Sequence, residues 1–342
     1  MKILGKYPNT RLRRIRKSDW IRRLVSENHL SASDLVLPIF IREGKNKKEP
    51  IKSMPGVYRY SIDKLNKVID TAIALGIPMI ALFPYTPENK KNIYGTEAFN
   101  ENNLICRALQ SIKKKKRNIG IMCDVALDPY TIHGHDGIVK NNIILNDETI
   151  KVLIKQSIIQ VQMGCDVIAP SDMMDGRVGL IRKALDKENY KDISILSYAV
   201  KFASNFYGPF RDAVGSKSSL KGNKKTYQMD YRNSIEAIRE VGLDVKEGAD
   251  MVMIKPGMPY LDIIKSIKDK FKIPVLSFQV SGEYSLIQNG IKDKIINSDA
   301  KIESLISLKR AGSSAIVTYF ALDVAEIIKK TNSINIKIIY QN

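Results

Sequence analysis

Met-Val-Met-Ile-Lys-Pro-Gly-Met-Pro-Tyr, residues 251–260, reads as a short buried strand that stops at a lysine. Four apolar residues precede Lys255, and the Pro-Gly pair behind it ends the extended run. Ser-Tyr-Ala-Val-Lys-Phe-Ala-Ser, residues 197–204, repeats the arrangement around Lys201. An amine at the mouth of an apolar strand is partly desolvated, and a second cation nearby disfavours its charge further. Both effects lower its pKa toward the neutral nucleophile that forms Schiff bases with carbonyls. Two such lysines predict two carbonyl substrates. A chain with 55 Lys+Arg solvates most of its lysines, so it is the setting of these two that singles them out. Lys201 runs into an aromatic, Gly/Pro-containing stretch at 202–211, which reads as a binding loop that includes Tyr207.

Working outward, short apolar runs alternate with longer helical patterns from residue 35 onward. The predicted strands are 35–41, 78–83, 119–125, 166–169, 193–200, 250–255, 274–280 and 315–320. Helical patterns fall at 62–75, 101–116, 147–163, 178–185, 234–247, 260–270, 300–310 and 321–330. Eight strands, each followed by a helix, predict an α/β fold of the (β/α)8 TIM-barrel type over 32–342. Barrel active sites collect at the carboxyl ends of the strands, and the chemically suggestive residues fall there. Asp124 closes the third strand, 171–175 follow the fourth, and Lys201 and Lys255 end the fifth and sixth. Ser281 follows the seventh, and Tyr319 lies at the end of the eighth. A doubly wound sheet is disfavoured because no G-x-G-x-x-G turn follows any strand.

Residues 1–31 precede the barrel. They carry Arg11, Arg13, Arg14, Arg16, Arg22 and Arg23, and Trp20, Ile21, Leu24 and Val25 form an apolar stripe at helical spacing. A free tail has no use for such a stripe, so an extended or helical arm that contacts a neighbouring subunit is expected.

At 342 residues and 44% hydrophobic content the chain can bury a full core. It has no run of about 18 apolar residues to span a bilayer and no apolar segment near its start of the kind that directs secretion. Cys106, Cys123 and Cys165 fit neither a disulfide framework nor a zinc pattern and are expected to be reduced. A cytoplasmic location is expected, with no membrane association. The net charge of +19 raises nucleic acid as a partner class. The excess is spread along the chain among Ile and Asn, the compositional mark of an AT-rich genome, and its one dense run at 113–117 falls at a predicted helix end. No nucleic-acid role is expected.

These residues are specific enough to resemble one family, the 5-aminolevulinate dehydratases, also called porphobilinogen synthases. The resemblance runs through Thr-Arg-Leu-Arg-Arg (10–14), Asp-Val-Ala-Leu-Asp-Pro-Tyr-Thr (124–131), Gly-His-Asp-Gly (134–137) and Ala-Pro-Ser-Asp-Met-Met-Asp-Gly-Arg (169–177). Both lysine segments and Gln-Val-Ser-Gly-Glu-Tyr (279–284) extend it over almost the whole chain. It implies a hydro-lyase that condenses two 5-aminolevulinate molecules to porphobilinogen in heme and other tetrapyrrole biosynthesis. By the same resemblance Lys255 anchors the substrate that becomes the propionate side, and Lys201 the one that becomes the acetate side. Arg211, Lys224 and Gln228 would hold one carboxylate, and Ser281 with Tyr319 the other. The segment 212–223 would be an active-site lid. Asp124, near two cationic lysines, is expected to stay ionised and to orient an amine or a proton.

The resemblance also divides the family by metal. Zinc-dependent members place three cysteines where this chain has Ala126, Asp128 and Asp136, and one alanine with two carboxylates suits hard cations instead. The pattern is similar to the magnesium-responsive branch, with no catalytic zinc and with a monovalent cation near the active site. It places an allosteric Mg2+ on Glu240, with Asp244 one turn later on the same helix face, and Asp175 and Arg11 close by. His133 and His135 are left unassigned. A homo-octamer is implied, with hexamer and dimer left open. Phe278 stands where the family usually has tyrosine. A one-lysine barrel enzyme of the aldolase kind is the alternative reading.

Overall fold

A computed structural model describes residues 5–215, 220 and 222–339. Eight parallel strands form the barrel: β1 Leu35–Ile41, β2 Met79–Pro84, β3 Gly120–Val125, β4 Val167–Pro170, β5 Ser194–Lys201, β6 Met251–Lys255, β7 Val275–Phe278 and β8 Ala315–Val317. They pair in chain order, and β8 closes the ring on β1 through Leu35↔Ile316 and Val36↔Val317. The apolar runs are strands because both faces of each are covered, one by the barrel interior and the other by helices. β1 is buried at all seven positions. No helix among the described residues is long and apolar enough to cross a membrane.

Each predicted strand is present to within three residues at either end. Three elements were not anticipated. An antiparallel hairpin, Lys48–Pro50 with Tyr58–Tyr60, extends the sheet beyond β1. A helix, Ser281–Lys292, follows β7, where Gly282 permits an approach to the Phe206 carbonyl that a Cβ would block at 2.4 Å. The stretch after Lys201, read as a loop, instead coils into a 3-10 turn, Asn205–Tyr207, and a short helix, Gly208–Ala213. The Ser204 hydroxyl caps the turn by accepting from Phe206 N, and Pro209 lies in the first helical turn, where its missing N–H costs nothing.

Before β1 the arm forms a 3-10 turn, Leu12–Arg16, and a helix, Asp19–Leu24, neither of which buries a residue. Trp20 is 58% and Leu24 75% exposed, so among the described residues most of the stripe seen in the sequence is uncovered, Ile21 alone being half-buried.

Candidate active site

The carboxyl ends of β5 and β6 bring the two lysines together: Lys201 and Lys255 are register partners on adjacent strands. Phe202 N donates to the Lys255 carbonyl at 3.0 Å and tightens the pairing just past the strand ends. Both side chains are buried, yet their surroundings differ.

Lys255 Nζ faces rings, at 4.5 Å from the centroid of Phe278, 4.8 Å from Phe210, 5.1 Å from Tyr198 and 5.5 Å from Tyr207. Burial, and then the neighbouring Lys201 charge, bring its amine down to about 7. The Tyr207 hydroxyl donates to the Lys255 carbonyl at 3.1 Å, fixing the strand end from which the amine projects.

Lys201 faces carboxylates. Its Nζ donates to Asp136 Oδ1 at 2.9 Å and to the Ser171 carbonyl. Burial works against its charge, but Asp136, Asp128 and Asp124 outweigh it and the pKa rises. The expectation that both lysines would be acidified therefore holds for Lys255 alone, because the anions cluster on the Lys201 side.

Asp136 is the hub of that side. Lys224 Nζ reaches it at 2.6 Å and Asp128 at 3.3 Å, and the Tyr227 hydroxyl donates to Asp136 Oδ2 at 2.8 Å. Burial pushes its carboxyl up, yet Lys201 and Lys224 prevail and hold it well below the usual range. Lys224 is buried and paired at the site, and its ammonium fills the place between Asp128 and Asp136 where a hard cation was expected. His135, unassigned in the sequence, joins the same cluster with Nδ1 3.1 Å from the Tyr227 hydroxyl.

Asp124 projects from the end of β3, and burial raises its pKa to about 6 against the pull of Lys201 and Lys255. The sequence reading expected it to stay ionised, and at about 6 it remains mostly charged at neutral pH, although burial outweighs the two lysines. Among the described residues, Asp124 Oδ1 and the hydroxyls of Tyr198 and Tyr319 are buried without a hydrogen-bond partner. Such groups are rare unless something else satisfies them. Ser281 lies past β7 with Oγ accepting from Phe210 N at 2.8 Å, and Tyr319 past β8 stacks on Phe40 at 5.8 Å. Gln228 is buried, and Arg211 is half-buried on the short helix Gly208–Ala213. The expected lid, 212–223, lies partly outside the described residues.

The expected metal residues are brought together only in part. Glu240 is half-buried and lines a cavity of about 400 Å3 with Asp175, Glu236, Asp230 and Asn146. Burial raises its pKa; Arg177 opposes this, and Asp244, Asp175 and Glu236 add to it. Asp244 does not face that cavity as a free ligand. It is buried, accepts from both terminal nitrogens of Arg177 at 3.3 Å, and accepts from Ser197 Oγ at 2.5 Å. Arg177 needs it because the guanidinium is itself only 1% exposed. The described partners of Arg11, Pro8 and the Tyr7 ring, lie within the arm. Among the described residues, no three His, Cys, Asp or Glu side chains converge to hold a metal.

The closed barrel and the groups gathered at one rim define the class: a (β/α)8-barrel enzyme with its site at the carboxyl ends of the strands. The family model for delta-aminolevulinic acid dehydratase matches residues 9–327. The chain is 53% identical to the delta-aminolevulinic acid dehydratase of Bradyrhizobium diazoefficiens over 317 residues, covering 92% of this chain and 90% of that one. It is 46% identical to that of Rhodobacter capsulatus, covering 95% and 98%. Its fold matches the crystal structure of delta-aminolevulinic acid dehydratase (porphobilinogen synthase) from Toxoplasma gondii ME49 in complex with the reaction product porphobilinogen. The TM-score is 0.91 at 43% identity, covering 93% of this chain and 91% of that one. The chain belongs to the delta-aminolevulinic acid dehydratase family, the metal-using porphobilinogen synthases (EC 4.2.1.24) of tetrapyrrole biosynthesis.

Proposed function

We propose that Lys255 and Lys201 each capture one 5-aminolevulinate molecule as a Schiff base, and that the two condense to porphobilinogen with loss of water. The observation that carries this reading is the register pairing of two buried amines with opposite charge preferences. Lys255, poised near neutrality, attacks a keto carbon, and the resulting carbinolamine loses water to an imine. Protonated, that imine is a better electrophile than the ketone and acidifies the adjacent carbon. Lys201 is held as a cation by Asp136 and must shed a proton before it attacks. Asp124, at about 6 with one oxygen unpaired, is the neighbouring group suited to move protons between the two sites.

Arg211, Lys224 and Gln228 take one carboxylate, and Ser281 with Tyr319 the other. The unpartnered Tyr319 hydroxyl supports the second assignment. For the first, a substrate carboxylate at Lys224 competes with Asp136 and Asp128 for the same ammonium. Tyr207 supports the Lys255 strand end and lends its ring to the pocket wall.

Zinc does not fit at Ala126, Asp128 and Asp136, since both carboxylates already serve Lys224 and no thiolate is among the three. Magnesium fits the Glu240 cavity, where Asp175, Glu236 and Asp230 add negative charge and room remains for the waters this ion keeps. Bound there, it would add positive charge beside Glu240, Asp175 and Glu236; Asp230 is already paired with Arg232. The exposed arm supports assembly into a homo-octamer in which Trp20 and Leu24 are covered by a neighbouring subunit. Three free, buried cysteines accord with a reducing cytoplasmic location.

Borohydride reduction of the protein with 5-aminolevulinate, followed by peptide mass spectrometry, tests the central claim. Adducts at both Lys201 and Lys255, with porphobilinogen formed in the unreduced sample, are expected. An adduct at one lysine only, with product still formed, overturns it.

A further inference from the structure

The short helix Gly208–Ala213 carries Arg211, and it is too brief to be stable alone. Two buried cations from outside it hold its end, Arg59 on its last two carbonyls and Lys91 on the turn just beyond it. Arg59, on the hairpin strand Tyr58–Tyr60, donates Nε to the Ala213 carbonyl at 2.6 Å and Nη2 to the Asp212 carbonyl at 2.5 Å. Lys91, beyond β2, donates Nζ to the Gly215 carbonyl at 3.0 Å, and its side chain is fully buried. Ser53 Oγ adds a 2.5 Å bond to Asp212 Oδ2.

The grip is rigid from behind as well. The Arg59 guanidinium lies 4.6 Å from the Tyr85 ring centroid and pairs with Glu49 at 2.6 Å. Gly215 has φ +72, and a Cβ there would come within 2.6 Å of the Tyr85 ring, so the chain leaves the helix pressed against that ring. The terminal carbonyls of a helix carry partial negative charge and need donors. Here the last two receive Arg59, and the Gly215 carbonyl beyond them receives Lys91, two full cations that no substrate role uses.

We infer that Arg59 and Lys91 are positioning residues that set Arg211 in place, Arg59 by clasping the last carbonyls of its helix and Lys91 by holding the Gly215 carbonyl of the turn that follows. This rests on the assignment of Arg211 to a substrate carboxylate. The clasp then governs how one of the two 5-aminolevulinate molecules is held, and it reaches Lys255 through one ring, Phe210 of the same helix.

The test compares Arg59→Met, Lys91→Met, Arg211→Ala and the Arg59→Met/Arg211→Ala double variant in the full chain, each shown folded by circular dichroism. The KM for 5-aminolevulinate is expected to rise about tenfold in Arg59→Met, the scale of one charged hydrogen bond. Arg59→Lys should recover part of it. Borohydride-trapped adduct should fall more at Lys201 than at Lys255, which loses at most the Phe210 wall, a split that general loosening of the fold would not produce. The double variant should be no worse than Arg211→Ala alone. If Arg59→Met fails to fold, Lys91→Met, whose other partner Glu88 is exposed, carries the same expectation. Unchanged KM in folded Arg59→Met and Lys91→Met beside a raised KM in Arg211→Ala overturns the clasp alone. Unchanged KM in Arg211→Ala overturns the assignment beneath it.

Discussion

Lys201 and Lys255 stand side by side as register partners, and their amines are driven in opposite directions, Lys255 down to about 7 and Lys201 up. The strand geometry is the same for both, so the difference comes from what each tip meets: four aromatic rings at Lys255, and Asp136 at Lys201. One lysine is a ready nucleophile at neutral pH, and the other is a cation until a substrate disturbs its carboxylates.

The depressed Lys255 pKa makes a linked prediction about rate and stability. A lysine whose folded pKa lies below its ordinary 10.5 costs stability while it must be protonated. That cost is fully present below about 7 and fades as pH rises from there toward 10.5. Lys255→Met should abolish porphobilinogen formation and raise stability at neutral pH, on the order of a few kcal/mol. In the wild type, kcat/KM should climb with pH through about 7 as the amine loses its proton. Denaturant titrations across pH and a rate profile check both halves, and a less stable Lys255→Met protein would contradict the first.

Asp136 offers the complementary test. Asp136→Asn leaves Lys201 and Lys224 buried without their shared counter-ion, and breaking such a pair costs roughly 3 kcal/mol or more. The variant should lose about 100-fold in kcat, with the adduct at Lys255 still trappable and that at Lys201 diminished. Equal loss of both adducts would mean that Asp136 serves the whole pocket and not one amine.

The barrel was legible because a strand covered on both faces needs an unbroken apolar run, and β1 to β8 each supply one. The lysines were legible for the same reason, since a cation at the end of such a run is conspicuous. What escaped depended on contacts distant in the chain. The helix Gly208–Ala213, with Gly and Pro at its start, has no local signal of its own; its last carbonyls are satisfied by Arg59 and the turn after it by Lys91, both more than a hundred residues earlier. The helix Ser281–Lys292 was hidden by Gly282 and Gly290 and by its polar residues, and its first turn is settled by Glu283 accepting from Val280 N at 2.6 Å. The role of Asp136 depends on Lys201, Lys224 and Tyr227 converging from other loops, which no spacing announces. The i and i+4 spacing placed Asp244 on the helix face of Glu240, but it could not report that Arg177 and Ser197 are packed against that carboxylate.

Arg177 and Asp244 form a buried pair behind β5, with Ser197 Oγ and the Tyr198 carbonyl as further partners of the guanidinium. Asp244→Asn should therefore lower stability by about 3 kcal/mol, the cost of leaving a buried guanidinium short of a counter-charge. A metal ligand would behave differently, its loss being felt only when the cation is present. Equal melting shifts with and without magnesium are expected; a shift confined to magnesium-containing samples would return Asp244 to the metal site.

Glu240 carries the prediction about the metal itself. Its raised pKa means that a proton competes with any cation for the carboxylate over a range in which an ordinary glutamate is already ionised. Activation by magnesium should accordingly strengthen as pH rises above the usual glutamate value of 4.5 and level off once Glu240 is fully charged. Glu240→Ala should remove the magnesium response while retaining basal porphobilinogen formation, because among the described residues no contact joins Glu240 to either lysine, although the cavity it lines reaches the site at Tyr227, Gln228 and Met229. Zinc should not restore activity in chelator-treated protein. Full magnesium activation in Glu240→Ala would move the site elsewhere. Magnesium binding that persists without activation would instead show that Glu240 transmits the effect of the ion, with the remaining carboxylates sufficient to hold it.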